Sequence, residues 1–179
     1  LFHNNRDGTF TRIMTGSLVN DVARRTQPAW ADYNNDGYLD LFVPAGEKVR
    51  ERNLLYRNNG SGNRWLKVKL DGRVSNRSGV GARVRVQATI NGRTFWLMRE
   101  INGSVDTWAG NGLEAHFGLG DATQVQTLEI RWPSGIVQTI ANVAPNQSLT
   151  IREHQEYLGS PPGLALVSAS STEVNVSII

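Results

Sequence analysis

Asp32, Asn34, Asp36 and Asp40 crowd four oxygen-bearing side chains into the stretch Asp32-Tyr33-Asn34-Asn35-Asp36-Gly37-Tyr38-Leu39-Asp40. Such a set suits a hard cation, because Ca2+ takes roughly six to eight oxygen ligands at about 2.3–2.6 Å. The four side chains can supply oxygens and Tyr38 a backbone carbonyl, while Gly37 gives the backbone the freedom a sharp turn needs. A plainer reading of the same residues is a polar turn whose Asn and Asp side chains bond their own backbone. An EF-hand does not fit. That loop ends on a bidentate Glu and leaves by a helix, whereas the equivalent twelfth residue here is Val43, after the β-forming run Leu39-Asp40-Leu41-Phe42. The expectation is a calcium loop that launches a strand, with Asp32, Asn34, Asp36, Tyr38 and Asp40 as ligands.

No other constellation reaches reactive chemistry, and no catalytic residue is assigned. Cysteine is absent, which removes disulfides, thiolate zinc sites and thiol nucleophiles. His3, His116 and His154 lie far apart with no ligand-like spacing, and His116 beside Phe117 reads as a packed structural residue. Gly79-Val80-Gly81 lacks the Lys-Ser/Thr ending and following helix of a phosphate loop, so a bulge or a close backbone approach is expected. Glu100 and Asp106 are two acids flanking a hairpin, and there is no Gly-Xaa-Ser-Xaa-Gly elbow.

Two features could form a ligand surface. Lys67 and Lys69, and Arg83 and Arg85, project from the polar faces of two expected strands. If those faces align, they make a basic stripe suited to acidic glycans or nucleic acid; the alternative is a solvated edge that discourages sheet aggregation. Of Trp65, Trp96, Trp108 and Trp132, the last shares parity with Leu128 and Ile130 and belongs in a core. Trp108, in a Gly/Asn-rich segment, is the candidate exposed aromatic.

The elements that position these residues are strands. Val80, Ala82, Val84, Val86, Ala88 and Ile90 alternate with polar or small residues, the period of a half-buried strand. Asn91-Gly92 follows at once, the strongest short hairpin signal, with a return strand over 95–101. Trp65 to Leu70 alternates similarly, and further strands are expected at 115–119, 125–132, 136–140 and 147–152. Ser160-Pro161-Pro162-Gly163 reads as a linker before two short strands about Ser170-Ser171. No long helical period occurs, so the fold class is all-β.

With 179 residues, 39% hydrophobic and 20% charged, the chain has the composition of one ordinary globular domain or two small ones. No apolar run approaches the roughly 20 residues of a membrane-spanning helix. The net charge of +3 arises in 64–153, where eleven basic side chains face seven acidic ones.

Leu1-Phe2-His3-Asn4-Asn5-Arg6-Asp7-Gly8 is echoed 54 residues later by Leu55-Tyr56-Arg57-Asn58-Asn59-Gly60-Ser61-Gly62. Spacings of this order mark propeller repeats, and two copies are too few to close a propeller, so the chain is expected to be part of something longer. The loop and its Asn-Asn turns resemble an FG-GAP (VCBS-type) repeat of integrin-α-like β-propellers. Ser78-Gly79-Val80-Gly81-Ala82-Arg83-Val84, Arg99-Glu100-Ile101, His116-Phe117-Gly118-Leu119-Gly120, Arg131-Trp132-Pro133-Ser134-Gly135 and Asn142-Val143 through Asn146-Gln147 resemble the ASPIC/UnbV domain. This order of repeat and domain is that of the cartilage-acidic-protein-like family. The tail is faintly similar to the opening of a fibronectin type III domain.

The resemblance implies the terminal blade of a β-propeller over 1–62, a β-sandwich or barrel-like ASPIC/UnbV domain over 63–153, and a linker with the first strands of a third module over 154–179. It further implies a non-enzymatic, calcium-stabilised adhesion or recognition module, secreted or held in the cell envelope or periplasm. The expected partner is an extracellular protein or glycan. The alternatives are a glycan- or nucleic-acid-binding domain using the basic strand face, or an accessory part of a polysaccharide-active enzyme.

Overall fold

In a computed structural model of the chain, the described residues are 1–5, 7–20, 28–45, 52–103, 112–154, 165–169 and 174–178. The N-terminal part contains β1 (Phe2–Asn4), β2 (Phe10–Arg12), the single helical turn α1 (Ser17–Asn20), β3 (Ala29–Ala31), β4 (Asp40–Val43) and β5 (Leu54–Tyr56). β1 and β2 pair as an antiparallel ribbon, and β3, β4 and β5 form an antiparallel three-stranded sheet with β4 in the middle. The two echoed segments therefore behave alike: each is a short strand followed by a turn in which the matching glycine has positive φ, 89° at Gly8 and 75° at Gly62.

The larger part is a sandwich. Its strands are β6 (Arg64–Asp71), β7 (Arg83–Ile90), β8 (Arg93–Glu100), β9 (Glu114–Gly120), β10 (Val125–Arg131), β11 (Val137–Val143) and β12 (Gln147–Arg152), followed by β13 (Ala165–Ala169) and β14 (Val174–Ile178). One sheet has the order β11-β10-β7-β8 and the other β13-β14-β12-β6-β9. All neighbours are antiparallel except β12 with β6 and β14 with β12, which are parallel. The expected tail strands are β13 and β14, a hairpin whose second strand extends the edge of β12.

Alternation fixes which face is inside. Val84, Val86 and Ala88 of β7, Leu66 and Val68 of β6, Phe117 and Leu119 of β9, and Leu128 and Ile130 of β10 are fully buried in one core cluster. Their neighbours of opposite parity point to the two outer faces. Trp132 lies in the core as its parity requires, with its indole N–H donating to Gln138 Oε1 at 3.1 Å. The β7–β8 hairpin closes on Asn91 and Gly92 with φ of 49° and 73°, both positive as a primed two-residue turn demands.

The expected strand over 80–90 begins later, at Arg83. Residues 79–82 form a turn in which the Ala82 N–H reaches the Gly79 carbonyl at 2.9 Å and Gly79 and Gly81 have φ of 64° and 92°. Gly79 also packs on Leu70, so the motif is the close backbone approach anticipated for it.

The basic stripe does not form. β6 carries Lys67 and Lys69 in one sheet, whereas β7 carries Arg83 and Arg85 in the other. Both pairs have outward parity, so they sit on opposite sides of the sandwich.

Candidate functional site

The loop before β4 folds around its own acids. Asp36 N–H donates to Asn34 Oδ1 at 3.2 Å, Tyr38 N–H donates to Asp36 Oδ1 at 3.0 Å, and Asn34 Nδ2 donates to Asp36 Oδ2 at 2.7 Å. These bonds, led by the Tyr38 backbone and then the Asn34 amide, hold the Asp36 carboxyl below its ordinary pKa. Asn35 takes the left-handed conformation at φ 56° and Gly37 follows at 88°. The self-bonded polar turn is thus present, and the question is whether donors remain for a cation.

Asp40 is tied to the blade on both sides. Its Oδ2 accepts from Tyr33 N–H at 3.2 Å and its Oδ1 from Asn58 N–H at 2.7 Å, and the residue is buried. Asn58 belongs to the second Asn-Asn turn, so Asp40 joins that turn to the loop. Tyr38 does likewise, its ring packing on Gly60 and its hydroxyl donating to the Asn63 carbonyl at 3.2 Å.

Asp32 differs. Its side chain is 2% exposed, and its Oδ2 accepts from Gly37 N–H at 3.1 Å and from Lys67 Nζ at 3.1 Å. Its Oδ1 is buried with no hydrogen-bond partner. A buried carboxylate oxygen left unpaired is costly, and a cation beside it removes that cost. Oδ1 of Asp32, the oxygens of Asn34 and Asp36, and the Tyr38 carbonyl are all hard donors, so the residues present fit Ca2+ in kind. Among the described residues, no three His, Cys, Asp or Glu side chains converge into a metal cluster; a site here would lean on the Asn34 amide and a backbone carbonyl.

The sandwich presses its first strand onto this loop. The Trp65 indole lies flat against Gly37, where a methyl group would overlap it. His116 of β9 stacks on Trp65 with ring centroids 6.3 Å apart and planes at 11°, and its Nε2 lies 2.9 Å from the Gly37 carbonyl oxygen. Because a carbonyl oxygen only accepts, that contact has Nε2 as the donor. Lys67, outward by parity, is nonetheless only 5% exposed because the loop covers it. Its Nζ donates to Asp32 Oδ2 and, at 3.0 Å, to Asn35 Oδ1, with Glu114 at 3.7 Å. Lys67 is therefore removed from the ligand surface expected of it and belongs to the loop. Lys69 is exposed on the same face of β6.

Arg83 and Arg85 do share a surface, with residues the sequence reading did not gather. Arg85 lies over the Trp96 ring at 4.5 Å, and Arg83, Trp96, Met98 and Arg131 line a depression of about 330 Å3 beside it. Glu129 pairs with Arg85 at 3.2 Å and Arg131 at 2.8 Å, and Glu100 with Arg83 at 3.7 Å. The arginines are thus largely neutralised within the face. Trp108 lies outside the described residues, and Trp96, 44% exposed, is the open aromatic beside these arginines.

A buried acid also escaped notice. Glu153 is 2% exposed; its Oε2 accepts backbone N–H bonds from Arg73, Val74 and Ser75 at 2.7–2.8 Å. Its Oε1 accepts the hydroxyls of Ser75 and Ser134 at 2.7 and 2.6 Å. Burial pushes its pKa up, but these hydrogen bonds outweigh it and bring the carboxyl down to about 2. The signal was its parity: Leu149 and Ile151 face inward, and Glu153 continues their register.

A carboxylate-rich loop ahead of a blade strand, docked on a two-sheet sandwich that holds the His116-Phe117-Gly118-Leu119-Gly120 and Arg131-Trp132-Pro133-Ser134-Gly135 segments, points to one domain order. The family described as an FG-GAP-like repeat matches residues 1–43, and the family described as ASPIC and UnbV matches residues 72–157. The chain carries an FG-GAP-like repeat followed by an ASPIC/UnbV domain. Mouse cartilage acidic protein 1 is 27% identical over 153 residues, covering 84% of this chain and 23% of that protein. The human protein of the same name is 27% identical over 148 residues, covering 82% and 22%. The chain thus spans less than a quarter of the length of these relatives. Among the described residues no helix is long and apolar enough to cross a membrane.

Proposed function

We propose that the chain is a non-enzymatic recognition module of an extracellular or cell-envelope protein, in which Ca2+ bound by the FG-GAP-like loop has a structural task. The observation that carries this reading is the buried, unpartnered Oδ1 of Asp32 in a loop of further oxygen donors. Asp32, Asn34, Asp36 and the Tyr38 carbonyl would hold the ion, with Asp40 anchoring the loop to the second Asn-Asn turn. Calcium would neutralise the clustered carboxylates and fix the turn that launches β4. The similarity to cartilage acidic protein 1 supports the extracellular setting, in which the partner of this reading is a protein or glycan. Thermal melts in calcium and in chelator test it. The wild type melts higher in calcium, and Asp36→Ala melts lower than the wild type in calcium and loses the calcium-dependent shift; equal melting of the wild type in both buffers sinks the reading.

A second reading has one observation in its favour, the Arg83, Arg85 and Arg131 face around Trp96. Stacking on Trp96 and contact with the arginines suit an anionic glycan. Because Glu129 and Glu100 already pair with those arginines, binding there is weak and falls steeply with salt. Heparin binding lost in Arg83→Glu/Arg85→Glu supports this face, and binding that survives the double variant dismisses it; RNA run in parallel separates a glycan from a nucleic-acid preference.

A further inference from the structure

Lys67 brings an ammonium group into a loop built to attract cations, and it comes from the other domain. Its Nζ is 3.1 Å from Asp32 Oδ2 and 3.0 Å from Asn35 Oδ1, and the side chains of Lys67 and Asp32 are 7% and 2% exposed. Arg57 adds a second positive charge, in a longer and more exposed contact 3.7 Å from Asp36 Oδ2. The loop's acids therefore have counter-charges supplied by the chain itself.

We infer that Lys67 is a tethered counter-cation of the loop: it keeps the loop folded without a metal and lowers the loop's affinity for calcium. The second half rests on the calcium reading above. The physical reason is that a monovalent charge held against Asp32 already repays much of the cost of burying that carboxylate. A dication entering beside the free Oδ1 then meets an ammonium at close range in a weakly screened site. Since Lys67 sits on β6, removing its charge also removes a bond between sandwich and blade. Calcium then becomes the remaining means of neutralising Asp32.

The test compares the full chain as wild type, Lys67→Met and Asp32→Asn/Lys67→Met, by thermal melting and by direct calcium titration. Methionine keeps most of the aliphatic stem without the charge. In chelator, Lys67→Met melts below the wild type, and it binds calcium about tenfold more tightly or better, with a larger calcium-dependent rise in melting temperature. The double variant, with neither charge, stays folded and is far less responsive to calcium. If Lys67→Met is unfolded in chelator, calcium restores its fold. Lys67→Met that binds calcium no better than the wild type overturns the inference while leaving the calcium reading intact. Failure of calcium to restore an unfolded Lys67→Met, with the double variant folded, overturns it as well. Calcium binding by Lys67→Met but not by the wild type supports the inference in its strongest form, and absence of binding by both defeats the two together.

Discussion

Gly37→Ala perturbs the point where blade and sandwich meet. The residue has φ of 88°, and its α-carbon faces the Trp65 indole with no room for a methyl group. An L-residue in a left-handed conformation costs roughly 1–2 kcal/mol. Forcing a methyl into a filled contact costs roughly 1–3 kcal/mol more. Trp65 is flanked by His116, whose nearly parallel ring lies 6.3 Å away between centroids and itself bonds the Gly37 carbonyl, which restricts how the indole can move aside. The sum, roughly 2–5 kcal/mol, is large beside typical domain stabilities of about 5–15 kcal/mol. Urea unfolding followed by circular dichroism measures it. The informative comparison repeats the substitution in a Trp65→Ala background. There the steric part vanishes and only the backbone part of roughly 1–2 kcal/mol remains, leaving a coupling of roughly 1–3 kcal/mol. If Gly37→Ala costs the same in both backgrounds, Trp65 does not press on the loop and the sandwich does not dock there.

Other expectations concern the sandwich. Glu153→Gln can keep its oxygen toward the three backbone N–H groups of Arg73, Val74 and Ser75, but it turns an NH2 toward the Ser75 and Ser134 hydroxyls that now donate. It also replaces charge-assisted bonds by neutral ones, and should destabilise by about 1–3 kcal/mol. The wild-type carboxyl, depressed from 4.5 to about 2, contributes about 3 kcal/mol that is present above pH ~4.5 and lost as pH falls through about 2; the variant should lack this component of acid denaturation, and an unchanged acid profile would count against the nest. Phe117→Ala, at a fully buried core position, should cost about 3–5 kcal/mol in chemical denaturation, and a loss below 1 kcal/mol would mean that the two sheets do not share this core.

Much of the sandwich is legible in the sequence, because a two-residue period reports which side of a strand faces the core. Val84, Val86 and Ala88, or Leu66 and Val68, needed no partner to be recognised as buried, and Asn91-Gly92 announced its hairpin by turn chemistry. Parity does not say which strands share a sheet. Lys67, Lys69, Arg83 and Arg85 could therefore be placed on polar faces, but not on the same or opposite faces; that depends on β6 pairing with β9 and β12 while β7 pairs with β8 and β10. Lys67 illustrates the limit most clearly. Every local signal makes it a solvated outward residue, and only the loop that folds over it from more than thirty positions away turns it into a buried partner of Asp32. In the loop itself, spacing identified the oxygen donors. It could not divide them between Asp40, tied to the backbone of two turns, and Asp32, with an oxygen unpaired.

The central claim, that the loop holds calcium, is tested most directly by calorimetric titration of Ca2+ into the chelator-stripped chain, with Asp32→Asn alongside. One ion bound per chain, in the affinity range of extracellular sites near 10⁻⁴–10⁻³ M and much weakened in Asp32→Asn, is the predicted result. A wild-type titration indistinguishable from buffer, or binding that Asp32→Asn leaves unchanged, contradicts it.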